Sequence, residues 1–199
     1  MIHIFIGTKA QLIKMAPVIQ ELNRRAIRYN LIDGGQHAAV VSELIGQFDL
    51  RRPDISLGKE ETNIDSITKA LNWAGTHISS ALLDAGGVCE KVFRGQNGIC
   101  LIHGDTLTTL LSLLMAKRCG LKVAHVEAGL RSYHLFDPFP EEIIRLIAMR
   151  YSDLLFAPSD WAFDNLSRMN YGPKSVHAGG NTIIDTLRYA RTKTGTGRP

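Results

Sequence analysis

The sequence has few of the features that mark several classes of protein. Its 199 residues include three cysteines and no C-x-x-C spacing, so neither a disulfide framework nor a zinc site is predicted. No apolar run approaches the roughly 20 residues of a membrane-spanning helix. The apolar run at residues 2–6 is too short for a signal-peptide core and has no basic segment before it. We therefore predict a cytoplasmic protein in a reducing compartment, with no membrane partner.

The sequence also lacks a long block of charge of one sign. It has 23 Lys and Arg against 19 Asp and Glu, which gives a net charge of +4, and these charges are scattered along the chain. This balance favours a small anionic ligand over a nucleic acid. Cys100 and Cys119 lie in apolar runs, so we expect them to be buried thiols.

Short apolar runs alternate with segments of helical period, which predicts a parallel β-sheet covered by helices in an α/β fold. The predicted strands are residues 2–6, 29–33, 99–103, 122–126, 154–157 and 175–178. Helices are predicted near residues 12–22, 40–48, 64–83, 107–119, 141–150, 160–169 and 183–191. Residues 51–61 and 86–98 are predicted to be loops. Residues 192–199 contain no apolar side chain and are predicted to be a frayed tail or the start of a linker.

Polar residues collect directly after the predicted strands. In open α/β sheets this edge is where ligands bind, and it combines here carboxylates, imidazoles, lysines and glycines. The segments are residues 7–9 with Lys14, 35–37, 103–106, 125–127 and 180–182. Such a composition is typical of an active site. No G-x-G-x-x-G and no G-x4-G-K-[ST] motif occurs, which argues against dinucleotide and P-loop sites.

Several of these residues also have a purely structural interpretation. Asp105 could cap the following helix, and Glu141 could be a first-turn acid whose i+4 partner is Arg145. His103 and His125 could be core histidines, and Lys14 could be solvated. Glu127 is harder to explain in this way, because a carboxylate that ends an apolar strand is costly to bury without a partner.

Taken together, these segments resemble the UDP-N-acetylglucosamine 2-epimerase family, in the right order along nearly the whole chain. The opening GTKAQLIKMAP is similar to the family's G-T-R-P-E-x-I-K-M-A-P, with Lys9 and Gln11 in place of the family's arginine and glutamate. The other matching segments are GQH (35–37), HGDT (103–106), HVEAGLR (125–131), PFPEE (138–142), FAPS (156–159) and GNTIID (180–185).

This resemblance implies a glycosyltransferase-B fold, in which two Rossmann-like domains face each other across a cleft. Residues 1–191 would be the N-terminal domain, a parallel sheet with helices on both faces, and the family's C-terminal nucleotide-binding domain has no counterpart in this sequence. The implied partners are a UDP-N-acetyl sugar, that second domain and a second subunit in a homodimer. Without the second domain, we expect the chain to be inactive or nearly so.

The resemblance also implies a reaction without metal or nicotinamide, the interconversion of UDP-GlcNAc and UDP-ManNAc. The C2 proton of the sugar is not acidic, since no carbonyl is adjacent, so elimination and re-addition of UDP is the expected route. Asp105, Glu127 and Glu141 are the implied acid and base residues. The implied substrate-binding residues are Lys9, Lys14, Gln36, His37, Arg131, Arg145 and Asn181. A hydrolysing 2-epimerase, an epimerase for another UDP-N-acetyl sugar and a non-catalytic binding or dimerisation module remain as alternatives.

Overall fold

The computed structural model describes residues 1–35, 38–58 and 67–193. Their strands form one seven-stranded parallel sheet with the order β3-β2-β1-β4-β5-β6-β7. The strands are β1 (Ile2–Ile6), β2 (Tyr29–Asp33), β3 (Ile55–Ser56), β4 (Ile99–His103), β5 (Lys122–Val126), β6 (Leu154–Ala157) and β7 (Ser175–His177). The helices are α1 (Lys9–Arg24), α2 (Ala38–Gln47), α3 (Ile67–Leu83), α4 (Ala85–Phe93), α5 (Leu107–Arg118), α6 (Glu141–Tyr151), α7 (Asp160–Arg168) and α8 (Ile183–Lys193).

Both faces of the sheet are covered, as the predicted fold class requires. Alternate residues of β1 point to opposite faces, and they belong to two different core clusters. Ile4 and Ile6 pack with side chains of α1 and α2, whereas Phe5 packs with side chains of α4 and α5. The α/β fold with a Rossmann-like parallel sheet is therefore confirmed.

The start of helix α1 and its contact with α8 both follow from the sequence. Thr8 caps it, because its side chain accepts from the Gln11 amide while the Gln11 side chain accepts from the Thr8 amide. Pro17 has no N–H to donate within the helix, which removes the usual partner of the Ile13 carbonyl. The Thr186 hydroxyl of α8 donates to that carbonyl at 2.7 Å. The proline thus creates the acceptor that ties α8 to α1.

The predicted loop at residues 86–98 is wrong, because residues 85–93 form α4. The Asp84 carboxylate caps this helix by accepting from the Gly87 amide at 2.8 Å. Val88, Val92 and Phe93 bury one face of the helix against the sheet. Burial of this apolar face outweighs the low helix propensity of the two glycines in the first turn.

Two other predicted elements differ in detail. A short strand, β3, lies within the predicted loop at 51–61 and pairs with the end of β2. Helix α8 continues to Lys193, whose ammonium donates to the Gln47 carbonyl at 2.8 Å and contacts Asp49. With these side-chain contacts, helix α8 extends two residues past the predicted end at 191.

The cysteines also differ from the expectation. Cys89 of α4 and Cys119, the residue after α5, form a disulfide with their Cα atoms 5.4 Å apart. The sequence predicts no disulfide and a buried thiol at Cys119, and both predictions are wrong. The physical reason is helix α4, which the sequence does not predict and which brings Cys89 beside the end of α5. Cys100 is a buried thiol, as predicted.

Trp73 of α3 lies against the carboxyl end of β2. Its indole N–H donates to the Gly34 carbonyl at 3.0 Å.

Of the helices that the structure describes, none has both the length and the apolar character required to cross a membrane.

Candidate functional site

The site begins where β1 ends and α1 starts. Gln11 is buried there, and its side-chain oxygen accepts from the Gly7 and Thr8 amides at 2.9 and 3.2 Å. Its side-chain nitrogen donates to the His103 carbonyl at 2.8 Å and also contacts Thr106. The amide therefore links the ends of β1 and β4, which a carboxylate could not do in the same way because it has no N–H to donate.

Gly7 is required by packing against another part of the protein. A Cβ at this position would lie 2.2 Å from Thr108 Oγ1 and 2.5 Å from Thr108 Cγ2. The glycine allows the end of β1 to approach the first turn of α5.

Glu127, just after β5, lies among three polar side chains from other elements. Lys14 Nζ lies 2.7 Å from both of its carboxylate oxygens, and Asn181 Nδ2 donates to Oε1 at 2.8 Å. His103 Nε2 lies 3.1 Å from Oε2. The structural interpretation of Lys14 as a solvated side chain is therefore wrong. Three residues that the sequence predicted together do meet: Lys14, Glu127 and Asn181.

The environment of Glu127 favours its charged form. Burial raises the pKa of the carboxyl, but the contacts to His103 and Lys14 outweigh it and hold the pKa at about 2. The backbone at Glu127 has φ of +66°, a left-handed conformation that is uncommon for a residue other than glycine. Such strain is found most often at functional sites.

Asp105 is paired with Arg145, a residue of α6. The Arg145 Nη2 atom contacts Asp105 Oδ2, and Arg145 Nη1 donates to Glu142 Oε2 at 2.7 Å. The capping role considered for Asp105 belongs to Thr106, whose hydroxyl accepts from the Thr109 amide. Asp105 is thus free of the helix backbone and is directed to a cation.

The two adjacent glutamates of α6 have different surroundings. Glu142 is fully buried and accepts from Arg131 Nε, from the Ser132 amide at 3.1 Å and from Arg145. For Glu141, the Oε2 atom is buried and has no hydrogen-bond partner. Arg145 therefore pairs with Glu142 at i+3, and the predicted i+4 pair with Glu141 does not form.

A cavity of about 270 Å³ joins the two groups of charges. Its lining combines Lys14, Glu127, Asp105 and Arg145 with backbone and side chains from the ends of β1 and β4. The full lining is Thr8, Ala10, Gln11, Lys14, His103, Gly104, Asp105, Thr106, Glu127, Leu130 and Arg145. The first turn of α1, the ends of β4 and β5 and one side of α6 thus face one space.

Some of the predicted site residues lie outside this lining. Lys9 is exposed on the first turn of α1, and Asn181 lines a small adjoining pocket with Glu127. Arg131 contacts Glu142, and its guanidinium lies 4.9 Å from the centre of the Tyr133 ring. Gln36 and His37 lie outside the described residues.

His125 is a core histidine, in agreement with the structural interpretation. It is fully buried, and its Nε2 atom lies 2.7 Å from the Gly104 carbonyl. Burial lowers the pKa of His125 to about 4, against the opposing effect of this hydrogen bond. A neutral imidazole therefore holds the turn that carries Asp105.

Sequence reasoning missed the role of Glu142 and the extent of the role of Gln11. Glu142 is adjacent to Glu141, the first-turn acid of the predicted site, and no feature of the sequence distinguishes the two.

Within the described part of the chain, no three His, Cys, Asp or Glu side chains are grouped so that they could hold a metal ion.

Comparisons with known proteins give matches both by sequence and by structure. A UDP-N-acetylglucosamine 2-epimerase of Bacillus subtilis is 35% identical over 188 residues, which cover 91% of this chain and 45% of that protein. One of Campylobacter jejuni is 32% identical over 193 residues, or 96% of this chain and 47% of that protein. The crystal structure of the Neisseria meningitidis enzyme bound to UDP-GlcNAc matches with a TM-score of 0.79 and 31% identity, over 98% of this chain and 50% of that one.

The chain spans about half the length of the relatives that it matches. Structural neighbours of this sheet are UDP-GlcNAc 2-epimerases, which have a glycosyltransferase-B fold, and the match is consistent with its N-terminal half. The family model described as UDP-N-acetylglucosamine 2-epimerase matches residues 20–197. With the sheet, the charged cavity and these matches in agreement, the chain belongs to the UDP-N-acetylglucosamine 2-epimerase family.

Proposed function

We propose that this chain is the half of a UDP-N-acetylglucosamine 2-epimerase that supplies the acid, base and charge-stabilising side chains. The observation that carries the proposal is the single cavity in which two carboxylates, Glu127 and Asp105, are each paired with a cation. The left-handed backbone at Glu127 and the pairing of both carboxylates with cations favour catalysis over a simple binding module.

The proposed reaction begins with elimination. The bond from C1 of the sugar to the diphosphate oxygen breaks, UDP leaves, and a carboxylate takes the C2 proton to give a glycal. UDP then adds back to C1 while C2 receives a proton on the opposite face, which gives the epimer. Positive charge develops on the ring and negative charge on the diphosphate, so nearby carboxylates and cations both stabilise the transition state.

Lys14 and Glu127 suit this sequence of steps because they form an ion pair with each other in the absence of substrate. A carboxylate whose pKa is about 2 is a weak base while Lys14 and His103 face it. A diphosphate that attracts Lys14 weakens this ion pair, which raises the pKa of Glu127 and makes it a better base. Asp105, Glu127 and Glu141 are the proposed acid and base residues. Lys9, Lys14, Gln36, His37, Arg131, Arg145 and Asn181 are proposed to contact the substrate.

The test joins residues 1–193 to the second half of the Neisseria meningitidis relative and follows the reaction in D₂O. If a carboxylate exchanges its proton with solvent, the epimer formed from UDP-GlcNAc carries deuterium at C2, which mass spectrometry detects. Complete retention of protium at C2 after turnover would overturn the mechanism. Release of free ManNAc with UDP would identify the hydrolysing alternative instead.

The homodimer and the cytoplasmic location also belong to this proposal. Sedimentation of the joined protein tests the dimer. The location is tested by the state of Cys89 and Cys119 in cells, since stable disulfides are rare in reducing compartments. Alkylation before lysis measures that state, and a Cys89–Cys119 disulfide that persists in cells would contradict the cytoplasmic location.

A further inference from the structure

Glu142 is a buried carboxylate whose oxygens are both occupied by the protein. It is 0% exposed, and it lies in the first turn of α6. Oε1 accepts from Arg131 Nε, while Oε2 accepts from the Ser132 amide and from Arg145 Nη1. Because it does not line the cavity, Glu142 can influence a bound ligand only through its partners.

Arg145 is divided between two carboxylates. Its Nη1 atom donates to Glu142 and its Nη2 atom to Asp105, and its side chain is 12% exposed. A guanidinium prefers to offer two parallel N–H groups to one carboxylate. The hydrogen bond from Nη1 to Glu142 fixes the orientation of the guanidinium, and in that orientation Nη2 is the nitrogen that contacts Asp105.

The charges around Glu142 stabilise it as an anion. Burial raises the pKa of its carboxyl, while Arg131, the Ser132 amide and Arg145 lower it, and the net shift is downward. Glu142 therefore keeps its charge at neutral pH, so its hold on Arg145 persists during the proposed reaction.

We propose that Glu142 is a positioning residue that keeps Arg145 on Asp105 through one nitrogen, so that the second oxygen of Asp105 stays available to the substrate. The inference rests on the proposed function, since it assigns Asp105 to that reaction. It extends that function to a residue that does not touch the cavity.

The first test uses the 199-residue chain itself. In Glu142→Gln, Arg145 should turn both terminal nitrogens to Asp105, which a crystal structure shows directly. The Arg131 Nε–H should also lose its protection from hydrogen exchange in NMR spectra. An unchanged single contact between Arg145 and Asp105 in the variant would overturn the proposal.

The second test measures kinetics in the protein joined to the second half of a relative. Glu142→Gln should lower kcat by about 10- to 100-fold and leave KM within about 3-fold, because a positioning defect acts on the transition state. Glu142→Asp keeps the carboxylate and should recover part of kcat. It also keeps the test decisive if the Gln variant does not fold.

Asp153 provides a matched control. Its carboxylate accepts from Lys117 at 2.6 Å and from the Val123 amide at 2.7 Å, so it has the same kinds of partners, and it does not line the cavity. Asp153→Asn should leave kcat unchanged. An equal loss of kcat in both variants, in proportion to lost thermal stability, would reduce the role of Glu142 to stability and refute the proposal.

The two proposals fail separately. If the joined wild-type protein has no epimerase activity, the proposed function fails, and the crystal structure of the Glu142→Gln chain alone then decides whether Glu142 positions Arg145. If the wild type is active and the Gln variant retains full kcat, only the positioning role is refuted.

Discussion

The two ends of the parallel sheet contain very different cavities. At the amino end, a groove of about 690 Å³ is lined mostly by apolar atoms and backbone, and none of its lining side chains is a carboxylate. At the carboxyl end, a cavity of about 270 Å³ contains two carboxylates that are each paired with a cation. The paired charges thus lie in the smaller of the two cavities, and the proposed site follows the charges rather than the cavity volume.

The two ends are also held together differently. Near the amino end, the disulfide between Cys89 and Cys119 joins α4 to the end of α5, and the next residue, Gly120, lines the groove. At the carboxyl end, ion pairs and the Gln11 amide connect the strand ends. Reduction should therefore weaken the amino end, whereas substitutions of charged residues should affect the carboxyl end.

The largest expected effect is a loss of kcat that occurs on substitution at the carboxyl end of the sheet and not at the amino end. In the joined protein, Glu127→Ala should lower kcat by about 10²-fold or more, since it removes one of the proposed acid and base residues. Lys122→Ala, which removes a cation from the lining of the amino-end groove, is the control and should leave kcat within about 2-fold. Coupled assays of UDP-GlcNAc consumption measure both, and wild-type turnover in Glu127→Ala would contradict the assignment.

The second effect concerns the disulfide. Cys119→Ser opens a loop between residues 30 positions apart, which should lower the free energy of unfolding by about 3 to 4 kcal/mol in the chain-entropy account. Urea denaturation measures the change. Dithiothreitol should lower the free energy of unfolding of the wild type to that of the variant, and it should leave the variant unchanged. Equal stability of the oxidised and reduced wild type would disprove the prediction.

The third effect is a pH dependence from His125. Its pKa is about 4 in the folded chain and about 6.5 when unfolded, so the unfolded state binds a proton first as the pH falls. The resulting loss of stability begins near pH 6.5, is complete below pH 4 and amounts to about 3 kcal/mol. Urea denaturation between pH 7 and 4 measures this slope.

His125→Gln preserves an N–H for the Gly104 carbonyl and should remove most of that slope. His77 provides the control, because burial also lowers its pKa and it lies on α3, outside the cavity lining. If His77→Gln flattens the pH dependence as much as His125→Gln does, the assignment to His125 is wrong.

The smallest effects compare two glycines. Gly7→Ala at the carboxyl end should lower the free energy of unfolding by about 1 to 3 kcal/mol, because the new Cβ would overlap Thr108. Gly86→Ala in the first turn of α4 meets no atom within 4 Å and should stabilise the chain by about 0.5 to 1 kcal/mol. Thermal unfolding of the two variants should shift in opposite directions, and a destabilised Gly86→Ala would contradict this reading of α4.

Much of the fold was predictable because its strands are buried on both faces. Apolar runs such as residues 2–6 and 122–126 mark such strands directly, and their predicted bounds agree with β1 and β5. Helix α4 was missed because its glycines suggested a turn, while its three buried residues have meaning only against the sheet. The disulfide was missed for the same reason.

The candidate site was predictable for those residues whose place in the site follows from their position after a strand. Lys14, Glu127 and Asn181 follow strand ends or lie one turn later, so a parallel sheet brings them to one edge. The partner of Arg145 was not predictable, because helical spacing allows both Glu141 and Glu142, and only the path of residues 131–132 selects Glu142. The ion pair within α6 thus depends on the conformation of the segment that precedes the helix.

The hydrogen bond between Trp73 and the Gly34 carbonyl gives the chain an optical reporter. The chain has two tryptophans, and Trp161 is 50% exposed on α7. Replacing Trp161 with phenylalanine leaves one indole, whose emission depends on the backbone where β2 ends and on the nearby His77 ring, 5.3 Å away between ring centres. Fluorescence can then follow movements at this end of the sheet in real time, without any added label.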